Sequence, residues 1–288
     1  MSLDLPTLAS DDRLRSVLTQ TLSAHAVATA PGPAGAYWSA DFLGLDRSAR
    51  FRALERSAQE RVVSHVSDAL LQEALHIETM GVAFSSRMAL LATSVEERML
   101  YGFFAAEEAT HLAGVSRFAE RRPAEGPFLA MLDALIADGD RATLVLVVQV
   151  VLEGWGLDHY RGLARACREP ALAGVLDAIV RDEARHHGSG VLLAPRLNAG
   201  DAAVEVMTRF CGMVQAGPQG LLDAMAREIG PLSRAERVTL LEELDTEAHA
   251  GRRLALVRDL LSKVGADDVI AALEARGCFQ PLSAEDAA

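Results

Sequence analysis

Two pentapeptides, Glu107-Glu108-Ala109-Thr110-His111 and Asp182-Glu183-Ala184-Arg185-His186, share the pattern acid-Glu-Ala-x-His and lie 75 residues apart. A single Glu stands 30 residues ahead of each ligand-like Glu, Glu78 before Glu108 and Glu153 before Glu183, so the whole spacing recurs with the same 75-residue offset. A unit that repeats in this way is one supersecondary element written twice, here a helical hairpin. Glu and His three residues apart are neighbours on one helix face. Burying two such faces together requires four long helices, which confines the chain to an all-α architecture.

The remaining pattern agrees. Apolar residues recur at three- and four-residue spacing, and strand-like alternation between paired turns is almost absent. A first helix is predicted from Ser10-Asp11-Asp12 to about Thr29, before Pro31-Gly32-Pro33. Long helices follow at about 47–92, 95–121, 141–168 and 170–194. Gly81 and Ser85 are candidate breaks in the first of these. The box Ser94-x-x-Glu97 opens the second, which Pro123 and Gly126-Pro127 end. A short helix at about 128–137 leads through Asp138-Gly139-Asp140 into the third, and Pro170 suits the first turn of the fourth. The Val-rich stretch 145–151 has the residue types of a buried strand, yet the pattern continues helically to Cys167, so a helix buried on most sides is expected. Beyond Asn198-Ala199-Gly200, helices are expected near 202–216, 219–229, 234–264 (opened by Ser233-x-x-Glu236) and 267–276, with a frayed tail after Pro281. The expected whole is one domain over 1–288, a four-helix bundle at about 47–195 with accessory helices at about 10–30 and 200–276.

Glu78, Glu108, His111, Glu153, Glu183 and His186 form the ligand set of a di-iron or di-manganese carboxylate site, with one Glu from each of two helices and Glu-x-x-His from each of the others. Hard carboxylate oxygens stabilise ferric iron and can bridge two ions, while neutral imidazoles add no charge and leave positions open for dioxygen. Two iron ions are expected, with manganese the alternative. Glu73-x-x-His76 is a rival on the first long helix, but His76 lies about 200° round the helix from Glu78, so both cannot point inward. The repeat selects Glu78 and leaves Glu73 and His76 as a solvated or supporting pair. The same offset selects His186 over its neighbour His187. His25, His65, His159 and His249 lack such partners and read as surface or packed residues. Glu107 and Asp182 directly precede the ligand glutamates, within reach of the His on their own or the facing helix. A metal-bound His commonly donates its outer N–H to a carboxylate, and that is the role expected of both.

This ligand set resembles the ferritin-like di-iron superfamily: ferritins, rubrerythrins, ribonucleotide reductase small subunits, bacterial multicomponent monooxygenases and fatty-aldehyde deformylating oxygenases. Within it, Gln59-Glu60-Arg61-Val62 through Glu78, and Arg181-Asp182-Glu183-Ala184-Arg185-His186-His187-Gly188-Ser189, look most similar to the p-aminobenzoate N-oxygenase group. The resemblance covers about residues 55–195. That group carries an additional His ligand one turn before its last Glu-x-x-His, where this chain has Ile179, so a two-His site is expected. The resemblance implies dioxygen as co-substrate, an external electron donor, and oxidation of a small organic molecule by N-oxygenation, hydroxylation or a related reaction. The alternative is iron oxidation and storage or peroxide scavenging, which normally uses a minimal bundle without the roughly 90 residues that follow the fourth helix here.

One turn from the ligands lie Tyr101, Phe104 and Ala105 on the second long helix, Gln149, Val150, Gly156 and Leu157 on the third, and Ile179 and Val180 on the fourth. They are the candidate substrate pocket, and Gln149, its neutral amide, is the candidate to orient substrate or oxygen. Tyr101 and Tyr160 each sit seven residues from a ligand Glu and read as packing residues. Gly154 and Gly156 beside Glu153 suggest room for a substrate or a π-bulge. Arg161, Arg165 and Arg168 line a face that reads as solvated, with an acidic carrier protein as its candidate partner.

Composition narrows the rest. Half the residues are hydrophobic and the mean hydropathy is +0.15, which excludes a disordered chain. The longest apolar run, Leu144–Leu152, is interrupted by Gln149 and falls short of the roughly 20 residues of a membrane span. A net charge of −12 argues against nucleic acid and anionic lipid as partners. Three widely spaced cysteines support neither a disulfide framework nor a thiolate metal site, and the acidic first residues carry no visible targeting signal. A cytoplasmic enzyme is therefore expected, with a homodimer as one use of the extra helices.

Overall fold

The computed structural model describes every residue except 1–4, 6, 10, 29, 34, 121 and 123–125. The described residues are helical or irregular, with no strand among them. The first helix, α1 (Arg13–Ala24), begins where the Asp12 side chain accepts the Leu14 N–H, and it buries no residue. The expected start Ser10 and end Thr29 lie outside the described residues.

What was expected as one helix over 47–92 is a short α2 (Ala49–Arg52) followed by α3 (Arg56–Leu91), which passes Gly81 and Ser85 without a break. A three-residue link turns into α4 (Val95–Val115), whose N-cap Ser94 accepts the Glu97 N–H. The Glu97 carboxylate does not complete the box. It accepts instead from the Thr93 N–H and hydroxyl and from Arg141. The end of α4 also falls earlier than the expected 121. The Arg117 carbonyl accepts the Gly32 N–H and the Phe118 carbonyl accepts the Tyr37 hydroxyl, so the N-terminal loop takes the acceptors that a further turn would need.

After α5 (Pro127–Asp138), α6 runs continuously from Arg141 to Ala166. Its Val-rich part is helical but wound as a π-helix over Leu144–Leu152, and α-geometry resumes at Glu153. By length and composition α6 could cross a membrane, longer than the apolar run alone suggests, but two thirds of its most apolar window is buried against other helices, as in the core helix of a soluble fold. Next comes α7 (Pro170–Leu193), with Pro170 in its first turn. Gly190 is where α7 crosses the π-segment closely, since a Cβ there would lie 2.8 Å from Gln149 Cγ.

The four long helices pack α3 on α4, α6 on α7 and α4 on α7. The rest of the chain, α8 (Asp201–Ala216), α9 (Gln219–Ile229), α10 (Arg234–Glu243), α11 (Thr246–Lys263), α12 (Asp267–Ala275) and α13 (Ala284–Ala287), covers one side. There α8 and α11 lie on α6, and α9 lies on α3. The helix expected over 234–264 is two helices, because Asp245 takes a left-handed conformation (φ 53°) that aspartate tolerates better than most residues. The tail after Pro281 is not frayed: Ser283 caps α13, and the Glu285 carbonyl accepts from Arg234.

Candidate metal centre

Each long helix contributes acids to one buried cluster. Glu78 comes from α3, Glu108 and His111 from α4, Glu153 from the first α-turn after the π-segment, and Glu183 and His186 from α7. Glu78, Glu108, His111 and Glu183 present ligand atoms within 4.8 Å of one another, and so do Glu153, Glu183 and His186. The cluster could therefore hold a metal ion.

The orientation of the histidines is set from outside. His111 Nε2 is 2.9 Å from Asp182 Oδ2, and His186 Nε2 is 2.8 Å from Glu107 Oε2. Each acid thus serves the His of the facing helix, and each Nδ1 turns inward. His111 Nδ1 lies 3.3 Å from Glu78 Oε2, 3.7 Å from Glu108 Oε2 and 4.0 Å from Glu183 Oε1. His186 Nδ1 lies 3.2 Å from Glu108 Oε1 and 3.5 Å from Glu183 Oε2. Glu108 and Glu183 therefore each direct one oxygen to either histidine, while Glu78 belongs to the His111 side and Glu153 to the His186 side. Arg185 reaches Glu107 Oε1 and Asp182 Oδ1, both at 2.7 Å, and ties the two outer acids together.

Electrostatics shows what this cluster lacks. Burial pushes Glu78 up to about 7 against the pull of His111, and it drives Glu153 well above the ordinary carboxylate range with the help of Glu183. Glu183 is raised by burial and by the charge of Glu108. Burial acts the same way on Glu108, but the two histidines outweigh it and hold that carboxyl at about 2. Burial alone would lower both imidazoles, yet the surrounding carboxylates raise His111 to about 11 and His186 to about 12. Glu78 Oε2, His111 Nδ1 and Glu153 Oε2 remain buried without a hydrogen-bond partner. Four acids and two imidazoles turned inward, with unpartnered atoms on Glu78, Glu153 and His111, are a donor set that cations would satisfy.

Two residues that read otherwise in sequence support this arrangement. Gly81, read as a break, sits where a Cβ would collide with the Glu108 carboxylate, so its missing side chain makes the room that Glu108 occupies. Tyr160, read as packing, donates its hydroxyl to Glu78 Oε1 at 2.8 Å.

The rival pair separates. His76 is buried outside the cluster, and Glu73 instead lines a cavity of about 80 Å³ between α3, α5 and α6 that reaches Glu108, Glu153 and Glu183. Of the nine residues expected to wall a pocket, only Gly156 lines this cavity. Tyr101 and Phe104 are packed in the core, with the Phe104 ring 4.0 Å from that of His186. Ala105 is half-buried and Leu157 buried, and Ile179 and Val180 pack with Leu172 and Leu176. Val150 is core, and every polar atom of Gln149 is used within the protein. Its Oε1 accepts from Tyr101, and its Nε2 donates to the His186 carbonyl and Ser189 Oγ. Gln149 is a strut and has no group left for a ligand. The walls are Ile77, Met80 and Phe84 on α3, Leu132 and Ile136 on α5, and Val148 and Leu152 on the π-segment. His159 also lines the cavity, and nothing in its sequence spacing marked it. Gly154 does not line it, because it packs against His187 and Leu260. Compared with known proteins, the chain matches no family model, no curated protein and no solved structure.

Proposed function

We propose that the cluster is a di-iron centre in a ferritin-like four-helix bundle, and that the chain is a cytoplasmic oxygenase or oxidase acting on a small organic molecule with dioxygen. The observation that carries this reading is the division of Glu108 and Glu183 between His111 and His186, an arrangement that would suit two cations. Glu78 would complete one position and Glu153 the other, and four carboxylates balance two divalent charges. Two iron(II) ions held there would supply electrons in pairs to dioxygen.

The chain's own part is to hold and to shield. Asp182 and Glu107 fix the imidazoles with Nδ1 inward, Tyr160 steadies Glu78, and Gly81 leaves space for Glu108. The apolar walls around Met80, Phe84, Leu132 and Val148 exclude water next to Glu108, Glu153 and Glu183. That cavity favours oxidation of an organic substrate over iron storage, since iron itself needs no apolar chamber. Electrons would come from an external donor.

The test has two parts. Anaerobic titration with iron(II) should bring about two ions per chain into the site, and a stoichiometry near zero or one refutes the di-iron centre. Oxygen uptake by the reduced protein should then depend on an added organic substrate. Uptake driven by iron(II) alone, with ferric iron as the only product, would make the protein a ferroxidase.

A further inference from the structure

The cavity beside the cluster has two unlike ends. Phe84, Leu132, Ile136 and Val148 close one end with hydrocarbon, while Glu73 and His159 lie at the other. Glu73 and Phe84 are eleven residues apart on α3, and Val148 and His159 eleven apart on α6, so the polar pair and the apolar pair each come from facing levels of the two helices.

The polar end is not satisfied from within. Glu73 forms no hydrogen bond or ion pair among the described residues, and burial raises its carboxyl above the ordinary range. His159 forms no hydrogen bond among the described residues, and burial with the nearby Arg253 holds its imidazole neutral, with a pKa down at about 4. Arg253 of α11 is already engaged, its guanidinium 3.5 Å from the Trp155 ring centre and 3.4 Å from Asp158 Oδ2. The Trp155 indole N–H is buried without a hydrogen-bond partner among the described residues. Arg253 is shared between Glu73 and the exposed Asp158, so Glu73 has no cation of its own. The unpartnered polar groups at this end are the Glu73 carboxylate, a neutral imidazole with one donating and one accepting nitrogen, and the buried Trp155 N–H; of these only Glu73 can carry a charge, so a cationic donor is the complement this end lacks.

We propose that Glu73 is the recognition residue for a primary ammonium group, and that the substrate is a small apolar amine whose hydrocarbon body lies along the cavity past Glu108, Glu153 and Glu183. Glu73 stands eight residues before Gly81, about 12 Å along the helix axis from the level at which Glu108 enters. A carbon of the body, and not the nitrogen, therefore faces the cluster. This rests on the oxygenase reading for what becomes of that carbon, but the binding does not.

The test is calorimetric binding of hexylamine, hexanol and hexanoate to the full-length, zinc-loaded protein, which does not turn over. Hexylamine should bind at least tenfold tighter than the other two, gaining about fourfold for each methylene from butylamine to hexylamine. Glu73→Gln should lose the tenfold preference and leave hexanol unchanged, while Glu73→Asp should keep it. Hexanoate binding as tightly as hexylamine, a preference that survives Glu73→Gln, or no binding of any of the three overturns the proposal. The two readings fail separately. A chain that binds hexylamine in this pattern but takes up no iron refutes the di-iron centre alone, and one that takes up two irons but ignores hexylamine refutes only the amine site.

Discussion

Gly81→Ala should separate the stability of this fold from its capacity to hold metal. In the interior of a helix, alanine is more favourable than glycine by about 1 kcal/mol, and α3 is unbroken at this position. The added methyl would collide with Oε2 and Cδ of Glu108, the far end of a flexible side chain that can swing away. In the metal-free protein the two effects oppose each other. The helix gains its propensity term, while Glu108 gives up a place between His111 and His186 that the two imidazoles reward. The melting temperature should therefore move by only a few degrees. Metal affinity should fall much further, because a carboxylate that has rotated out serves neither histidine. Loss of a supporting contact typically weakens metal affinity 10–100-fold, and loss of a shared acid should reach at least the upper figure. Thermal melts of the metal-free variant, with manganese(II) or iron(II) titration of the same sample, measure both quantities. Wild-type affinity in Gly81→Ala would show that Glu108 does not need this space, and the assignment of a shared role to it would fall.

Four further outcomes follow from the same geometry. Asp182→Asn, which leaves His111 without an anionic partner at Nε2, should lower metal affinity 10–100-fold with little change in the melt, read by competition with a chromophoric chelator. Metal uptake should release protons and tighten as pH rises, since His111 and His186 hold theirs up to about 11 and about 12 and Glu78 holds its proton to about 7. For the metal-free chain, a carboxyl raised from 4.5 to about 7 binds its proton more tightly folded than unfolded, so the Glu78 contribution to stability is full below about 4.5 and declines as pH rises to about 7, which urea melts across that window check. Gln149→Leu should leave the cavity open and cost stability, because Tyr101 and the His186 carbonyl each lose a buried partner at about 1–3 kcal/mol; a variant that melts like wild type would show the amide is not a strut.

The cluster was legible in sequence because metal ligands are a spacing problem. Glu-x-x-His fixes a helix face and the 75-residue offset fixes which acids correspond, and neither depends on tertiary detail. The cavity was not legible, for a reason that lies in α6. The expected wall was counted one α-turn back from Glu153, which selects Gln149 and Val150. In the π-segment the Glu153 N–H bonds to the Val148 carbonyl, five residues back, so one turn before Glu153 is Val148. Val148 lines the cavity, and Gln149 turns toward Tyr101 and α7. The winding of nine residues thus moved the part of the expected wall that precedes Glu153 on α6. Glu73 had a signal in Glu73-x-x-His76, but His159 had none, since its place depends on the packing of α11 against α6.

Arg185 has a consequence for how the two halves of the repeat can diverge. Its counterpart 75 residues earlier is Thr110, whose hydroxyl is spent on its own helix, so the cation occurs in one half only. Yet it grips the acid behind each histidine, Asp182 from its own half and Glu107 from the other. A chain that doubled an ancestral hairpin would have begun with two equivalent pairs of histidine and outer acid. A single half-exposed guanidinium shared by both makes them interdependent, so a change at this surface point reaches both imidazoles at once.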